Sequence, residues 1–420
     1  MPGATHPVRL APEKWIAMAD SADSSVRPIR PIRPVRTSPL LYIVVLPLLE
    51  RLLLGVVAAL AQGYIPDRLD PAAYTQTVTL RGLLSPKSPL WKLVGPWIRW
   101  DSFWYLGIAT GGYTEKAQAV FSPLYPAAIH LLGSLTGQPT AAVAISLLAF
   151  MGALLLAWRL VEEQWDESVA KRTVLVMLLF PAAFYFYSGY AESLALLGIV
   201  GTFYSAKKGQ WIWAGLAATV ATLSRPVGVI AVLVLASELV FQAQADRRAG
   251  RKVQLLQFAS LFIPVAAYLA ETLYLYQRLH ILGIAQAESL WGGHIANPAA
   301  TTGALLSAML HGPTAGFTEV QIVANLFALA LILVTTVTVF LQDFPPTYRL
   351  FTLAMAAVLL LQTSGSLPFG SELRYTLLLF PMYIVLARLL KRPRGFTAFM
   401  ELSACLLCFL LVEFVRFQYF

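Results

Sequence analysis

Pro39-Leu40-Leu41-Tyr42-Ile43-Val44-Val45-Leu46-Pro47-Leu48-Leu49-Glu50-Arg51-Leu52-Leu53-Leu54-Gly55-Val56-Val57-Ala58-Ala59-Leu60-Ala61-Gln62-Gly63 decides the class of this protein. The run is long enough to cross a bilayer core of ~30 Å as one helix. It is too long for a signal-peptide core, although Ala59-Leu60-Ala61 imitates a cleavage site, so it reads as an uncleaved span. The preceding residues 1–38 are polar and carry Arg27-Pro28-Ile29-Arg30-Pro31-Ile32-Arg33-Pro34-Val35-Arg36. Proline at every third position forbids a helix there, and an extended, disordered, basic tail is expected. Arginines flanking a first span place that tail in the cytoplasm.

The rest of the chain repeats the pattern. Of 420 residues, 58% are hydrophobic and 13% charged, with a mean hydropathy of +0.66. A soluble protein needs a polar shell that this composition lacks. Further apolar runs fall near 121–136, 139–160, 173–188, 190–206, 211–224, 227–243, 254–277, 319–341, 347–363, 372–390 and 396–417. The expectation is an all-α polytopic membrane protein with about 10–12 transmembrane helices over residues 39–420. Two polar loops, about 64–118 and 279–317, interrupt them and are rich in Pro, Gly and aromatics.

The net charge of +9 reflects basic loops rather than a nucleic-acid surface, since no basic groove or soluble domain is visible. Those loops are Lys207-Lys208, Arg247-Arg248 with Arg251-Lys252, Arg349, and Lys391-Arg392 with Arg394. If all face the cytoplasm, the opposite side collects Ser224-Arg225-Pro226, the 279–317 loop, and Ser371-Glu372-Leu373-Arg374-Tyr375. The first large loop joins them as an external or lumenal loop. Parity closes only if one of the two segments between 121 and 160 fails to cross. The segment 121–136, with Pro123 and Pro126, is the candidate for a re-entrant or interfacial helix.

Charged residues in apolar surroundings are costly and are functional candidates by default. Glu50 and Arg51 sit midway along the first span. As sequence neighbours they point apart, so each needs a polar cavity or a partner on another helix. Glu192, at the break between two runs, has two readings: a carboxylate favoured in a first helical turn, or a ligand to a substrate hydroxyl. Arg225 precedes Pro226 at a helix start, where it either snorkels or grips a phosphate through its fork of donors. Glu372 and Arg374 flank another start, and Arg374 is a second candidate for a lipid phosphate.

The densest polar-aromatic segment ends the first loop: Arg99-Trp100-Asp101-Ser102-Phe103-Trp104-Tyr105, closing with Gly111-Gly112-Tyr113. A single acid framed by aromatics at a water–lipid boundary suits a base that works on a sugar while its lipid carrier stays in the bilayer. Arg99, Trp100, Trp104 and Tyr105 are candidate substrate-binding residues around Asp101, although aromatics also anchor loops at the interface. The chain lacks a P-loop, G-x-G-x-x-G, H-E-x-x-H, G-x-S-x-G and D-x-D. ATP-driven transport, dinucleotide chemistry, zinc proteolysis and nucleotide-sugar transfer lose ground accordingly. Cys405 and Cys408 read as two small apolar residues on one helix. The five histidines show no ligand spacing, no metal ligand is assigned, and a divalent-metal requirement stays open.

Trp100-Asp101 with Trp104-Tyr105 and Gly112-Tyr113, followed by Phe121-Ser122-Pro123-Leu124-Tyr125-Pro126, resembles the GPI mannosyltransferase II (PIG-V-type) family and its bacterial relatives. Phe180-Pro181, Tyr190-Ala191-Glu192-Ser193, Leu223-Ser224-Arg225-Pro226 and Leu373-Arg374-Tyr375 look like later stations of the same pattern, covering about residues 40–390. The resemblance implies a GT-C-like glycosyltransferase with a large first external or lumenal loop. It implies a mannosyl or other hexosyl residue passing from a polyprenyl- or dolichyl-phosphate sugar to a lipid-linked glycan acceptor such as a GPI precursor. Asp101 would then be the base, or orient the acceptor hydroxyl, with inversion at the anomeric carbon. The lipid-phosphate sugar is the donor substrate, and no cofactor is otherwise implied. The site would lie on the plasma membrane of a bacterium, which the Ala/Leu/Arg-rich composition favours, or on the endoplasmic reticulum membrane of a eukaryote.

Two rival readings accompany this one. A transporter or flippase of lipid-linked sugars should show internal repeats and matched broken helices, and no clear repeat is visible. A non-catalytic subunit, with a partner membrane protein supplying the chemistry, is separated from an enzyme by the behaviour of Asp101.

Overall fold

The computed structural model describes residues 38–65, 89–312, 318–364 and 371–417. The basic tail and residues 66–88 of the first loop lie outside them. Among the described residues six helices are long and apolar enough to cross a membrane: Leu41–Tyr64, Gln138–Gln164, Pro226–Arg248, Gln257–Leu279, Glu319–Leu341 and Pro393–Val415. The protein is helical and multi-pass, and among the described residues the one strand pairing is antiparallel, Gly293–Ile295 with Gln362–Ser364.

Local chemistry sets the boundaries. Proline occupies the first turn of Gln138–Gln164, Pro298–His311, Pro346–Leu361, Pro381–Leu389 and Pro393–Val415, where its missing N–H costs nothing. Asp166 caps Glu167–Leu179 by accepting from Val169 N at 2.8 Å. Thr318 and Gln321 form a capping box at the start of Glu319–Leu341.

Several apolar runs are broken rather than continuous. The 173–188 run is a helix to Leu179, then a 3-10 turn Ala183–Tyr187 beyond Pro181. The 372–390 run is Glu372–Tyr375, a 3-10 turn Thr376–Leu378, and Pro381–Leu389. Each break precedes or contains a proline whose ring clashes with a continuing helix. These broken helices put backbone ends and the charged side chains Glu192, Glu372 and Arg374 inside the protein, where surrounding residues cover them.

Side-chain ties show which helix ends lie together. Lys208 Nζ meets Glu163 at 2.7 Å and Lys207 Nζ donates to Gln164 at 2.9 Å. Tyr348 OH donates to the same Gln164 oxygen at 3.0 Å, and Arg172 Nη1 reaches Leu390 O at 3.4 Å. The basic connections therefore share one end of the bundle. At the other end, Thr110 Oγ1 donates to Gln138 at 2.7 Å, and Asp101, Glu192, Arg225 and Arg374 converge. Leu124–Thr136 has 13 residues, ~20 Å of helix, and joins Gln138 through Gly137 alone. It is not among the six helices long and apolar enough to cross a membrane, whereas Gln138–Gln164 is. Glu50 and Arg51 also find partners on other elements. Tyr187 OH donates to Glu50 Oε2 at 2.8 Å, and the Arg51 guanidinium lies 3.7 Å over the Trp97 ring.

A close helix approach lies one turn before Arg225. A Cβ at Gly198 would fall 2.4 Å from Ala221 N and 2.8 Å from Ala217 O, so only glycine lets Glu192–Lys207 lie this near Trp211–Ser224. Gly198→Ala is expected to cost about 1–3 kcal/mol by forcing these two helices apart. A lowered melting temperature of the purified protein in lipid nanodiscs checks this.

Candidate active site

Four charged side chains from four distant segments meet at the end of the bundle opposite the basic connections. Asp101 begins the helix Asp101–Gly111. Trp100 before it holds φ 47° and ψ −114°, a region that side chains rarely enter, which turns the chain sharply into the helix. Tyr190 OH accepts from Asp101 N at 3.3 Å. Glu192 opens Glu192–Lys207 in its first turn, Arg225 lies in the extended link between Ser224 and Pro226, and Arg374 lies in the short helix Glu372–Tyr375.

The charges interlock. Arg374 Nη1 donates to Asp101 Oδ2 at 2.8 Å, and Arg225 Nη1 lies 3.9 Å from the same oxygen. Glu192 Oε1 lies 3.3 Å from Arg225 Nη1 and 3.5 Å from Arg374 Nε. Among the described residues these Glu192 contacts lack hydrogen-bond geometry, so Glu192 is held by charge alone. Arg225 Nε and Arg374 Nε are likewise buried without a hydrogen-bond acceptor. Two arginines therefore balance two carboxylates, yet keep directed donors unspent. The Tyr105 hydroxyl accepts from Arg225 Nη1 at 3.5 Å, and the Tyr375 hydroxyl from Arg374 Nη2 at 3.1 Å. Burial pushes the Tyr105 hydroxyl up from its ordinary value, so it remains protonated. Asp101 is the half-buried member, at 21% side-chain exposure against 8% or less for the other three, so access to the cluster runs through it.

Not all the expected residues join. Arg99, expected to bind substrate, donates to Val415 O at 2.8 Å, Gly95 O at 2.6 Å and Ile98 O at 2.9 Å, and packs over Phe417. Its fork is consumed by backbone carbonyls, so it staples the last helix to the first loop. Trp100 is buried edge-on against Phe417 and offers no face to a sugar. Glu372 is buried next to Arg374 in sequence, but within 4 Å it makes no ion pair with Arg374 or any other described residue. Trp104 stays half-buried, stacked on Phe121 and edge-on to Trp291 at 5.4 Å. Cys405 and Cys408 are free thiols on the last long helix, and His294 is exposed beside Gly292 O. Among the described residues, no group of three or more His, Cys, Asp or Glu is placed to hold a metal ion.

One carboxylate escaped sequence reading. Glu288, in the second loop, hydrogen-bonds to Gln362 and interacts electrostatically with Arg225, Arg374 and Asp101. Burial raises its carboxyl above the ordinary value, and Arg225 draws it partly back. Its sequence neighbours, Ala287 before it and Leu290-Trp291 after it, do not report that the loop folds back toward Arg225 and Arg374.

Residues 49–293, which include Asp101, Glu192, Arg225 and Glu288, match the family described as Mannosyltransferase (PIG-V). The chain belongs to the PIG-V mannosyltransferase family. GPI mannosyltransferase 2 of Yarrowia lipolytica is 31% identical over 133 residues, a match covering 31% of this chain and 37% of that protein. The chain thus aligns with little more than a third of this relative's length. Among solved structures, ArnT from Cupriavidus metallidurans bound to undecaprenyl phosphate is 13% identical, with a TM-score of 0.43 over 70% of this chain and 56% of that one. The Archaeoglobus fulgidus oligosaccharyltransferase tethered with an acceptor peptide is 14% identical, with a TM-score of 0.40 over 88% and 55%. Membership of the PIG-V family stands on the sequence match, not on these overlays.

Proposed function

We propose that this PIG-V family member is an inverting, GT-C-type mannosyltransferase that uses a polyprenyl-phosphate sugar and a lipid-linked glycan acceptor. The observation that carries the reading is the sharing of Asp101 Oδ2 between Arg374 at 2.8 Å and Arg225 at 3.9 Å. In this reading Asp101 serves as the base and the two guanidinium groups beside it hold the phosphate.

The chemistry follows from those positions. The donor phosphate seats against the guanidinium groups of Arg225 and Arg374, whose fixed forks of donors suit phosphate oxygens. In doing so it competes with Asp101 for Arg374, and the carboxylate is released to accept a proton. The acceptor hydroxyl gives its proton to Asp101 while its oxygen attacks the anomeric carbon from the face opposite the phosphate. The carbon–oxygen bond to the phosphate breaks, and its electron pair leaves on the polyprenyl phosphate. The two arginines stabilise that growing negative charge. Glu192 does not touch the substrates in this scheme; it keeps the two like charges together. The donor bond is already activated, so no nucleotide is needed. By the positive-inside rule the site faces away from the cytoplasm, as the basic loops occupy the other end.

A transfer assay tests the proposal. Purified protein in nanodiscs receives polyprenyl-phosphate-[14C]mannose and a panel of glycolipid acceptors. Movement of label to an acceptor is the expected result. Bound donor with no transfer to any acceptor, from mannosyl or other hexosyl donors, would overturn it in favour of a transport role.

A further inference from the structure

The second polar loop lies across the site rather than beside it. The helix Ile284–Ser289 ends in a tight turn in which Trp291 N donates to Glu288 O at 2.9 Å. Trp291 Nε1 then donates to Ala117 O at 2.8 Å, and its ring packs edge-on against Trp104 at 5.4 Å and Phe121 at 6.0 Å. Gly293–Ile295 next pairs with Gln362–Ser364, which brings the Gln362 side chain onto Glu288. A Cβ at Gly293 would fall 2.9 Å from Glu288 O, so the turn closes this tightly only with glycine there. The loop is thereby clamped to the Asp101 helix on one side and to the 362–364 strand on the other. Between the clamps stand one carboxylate and two indole rings, and Trp291 remains 39% exposed.

That combination matches a hexose. A carboxylate accepts hydrogen bonds from vicinal hydroxyls, and an indole face packs on the C–H face of a pyranose. The geometry points to Glu288, oriented by Gln362 and flanked by Trp104 and Trp291, as the residue that binds the hydroxyls of the acceptor's glycan head beside Asp101. This rests on the reading of the cluster as a glycosyl-transfer site and adds where the acceptor sits. It divides the opening by charge: the arginines receive the phosphate of the donor, and Glu288 repels a phosphate while accepting from neutral hydroxyls. A carboxylate near Arg225 and Arg374 would be a poor neighbour for the donor, but is a good one for an uncharged sugar.

Equilibrium binding of two labelled probes to the full chain in nanodiscs free of glycoside detergent tests this, with empty nanodiscs subtracted for partitioning. The probes are octyl α-D-mannopyranoside for the glycan side and farnesyl phosphate for the donor side. Glu288→Gln is expected to weaken mannoside binding roughly tenfold or more, the scale of one hydrogen bond to a charged group. Farnesyl phosphate should bind unchanged or tighter, because a negative charge near the arginines is gone. Gln362→Ala should weaken the mannoside by a smaller factor in the same direction. Unchanged mannoside affinity in Glu288→Gln, no saturable mannoside binding by the wild type, or equal loss of both probes would overturn the assignment. The binding readout needs no turnover. Absence of mannosyl transfer with a Glu288-dependent mannoside site would count against the proposed activity alone.

Discussion

Asp101→Asn should abolish transfer, lowering kcat by about a hundred- to ten-thousand-fold, the range expected for loss of a positioned general base. The fold should survive, for two reasons visible in the site. Asn can still accept the hydrogen bond that Arg374 Nη1 gives Asp101 Oδ2 at 2.8 Å, and position 101 is the most exposed of the four charged members. What is lost is the ability to take a proton once the donor phosphate has displaced Arg374. Single-turnover transfer measured beside a melting curve separates the outcomes: near wild-type turnover would remove Asp101 from the chemistry. A large drop in melting temperature would give it a structural role instead.

Glu192→Gln is expected to act the other way round, destabilising first. Glu192 is fully buried and faces Arg225 at 3.3 Å and Arg374 at 3.5 Å. Removing its charge leaves the two guanidinium groups with Asp101 as their remaining direct ion-pair partner among the described residues. Taking one partner out of a buried ion cluster costs about 3–5 kcal/mol, because the remaining charge stays desolvated and uncompensated. The Coulomb repulsion between the arginines should also open the cluster and misplace Asp101, so activity falls with stability. A melting temperature in nanodiscs is the measurement, and added farnesyl phosphate should recover part of the loss by supplying the missing negative charge. A Glu192→Gln protein as stable as wild type would mean that Arg225 and Arg374 do not depend on this carboxylate.

Part of this site was legible in advance because membranes make charge conspicuous. Glu192, Arg225 and Arg374 stood in or beside apolar runs, where desolvation is costly, and Asp101 stood out as the single acid in the polar-aromatic end of the first loop. The shared face of the basic loops placed them on one side. Arg99 was read by its neighbours in sequence as a ligand, and in the fold it donates to the Gly95, Ile98 and Val415 carbonyls, away from the four-charge cluster. Glu288 went unread, because only the fold brings its loop back toward Arg225 and Arg374.

The sequence by itself determined the class: long apolar runs, basic connections at one end and a polar-aromatic first loop require a multi-pass helical protein with its charged residues gathered at the other. Hydropathy and charge act locally, and periodicity and proline placement report them faithfully. Only the tertiary structure decided which charges meet. Asp101 and Arg374 are 273 residues apart in the chain and 2.8 Å apart in space. That closeness depends on Gly198 letting two helices touch, on proline breaks ending helices at the depth of the site, and on the second loop folding back over Trp104. Packing sets these relations, and packing is a property of surfaces that come together only when the whole chain has folded.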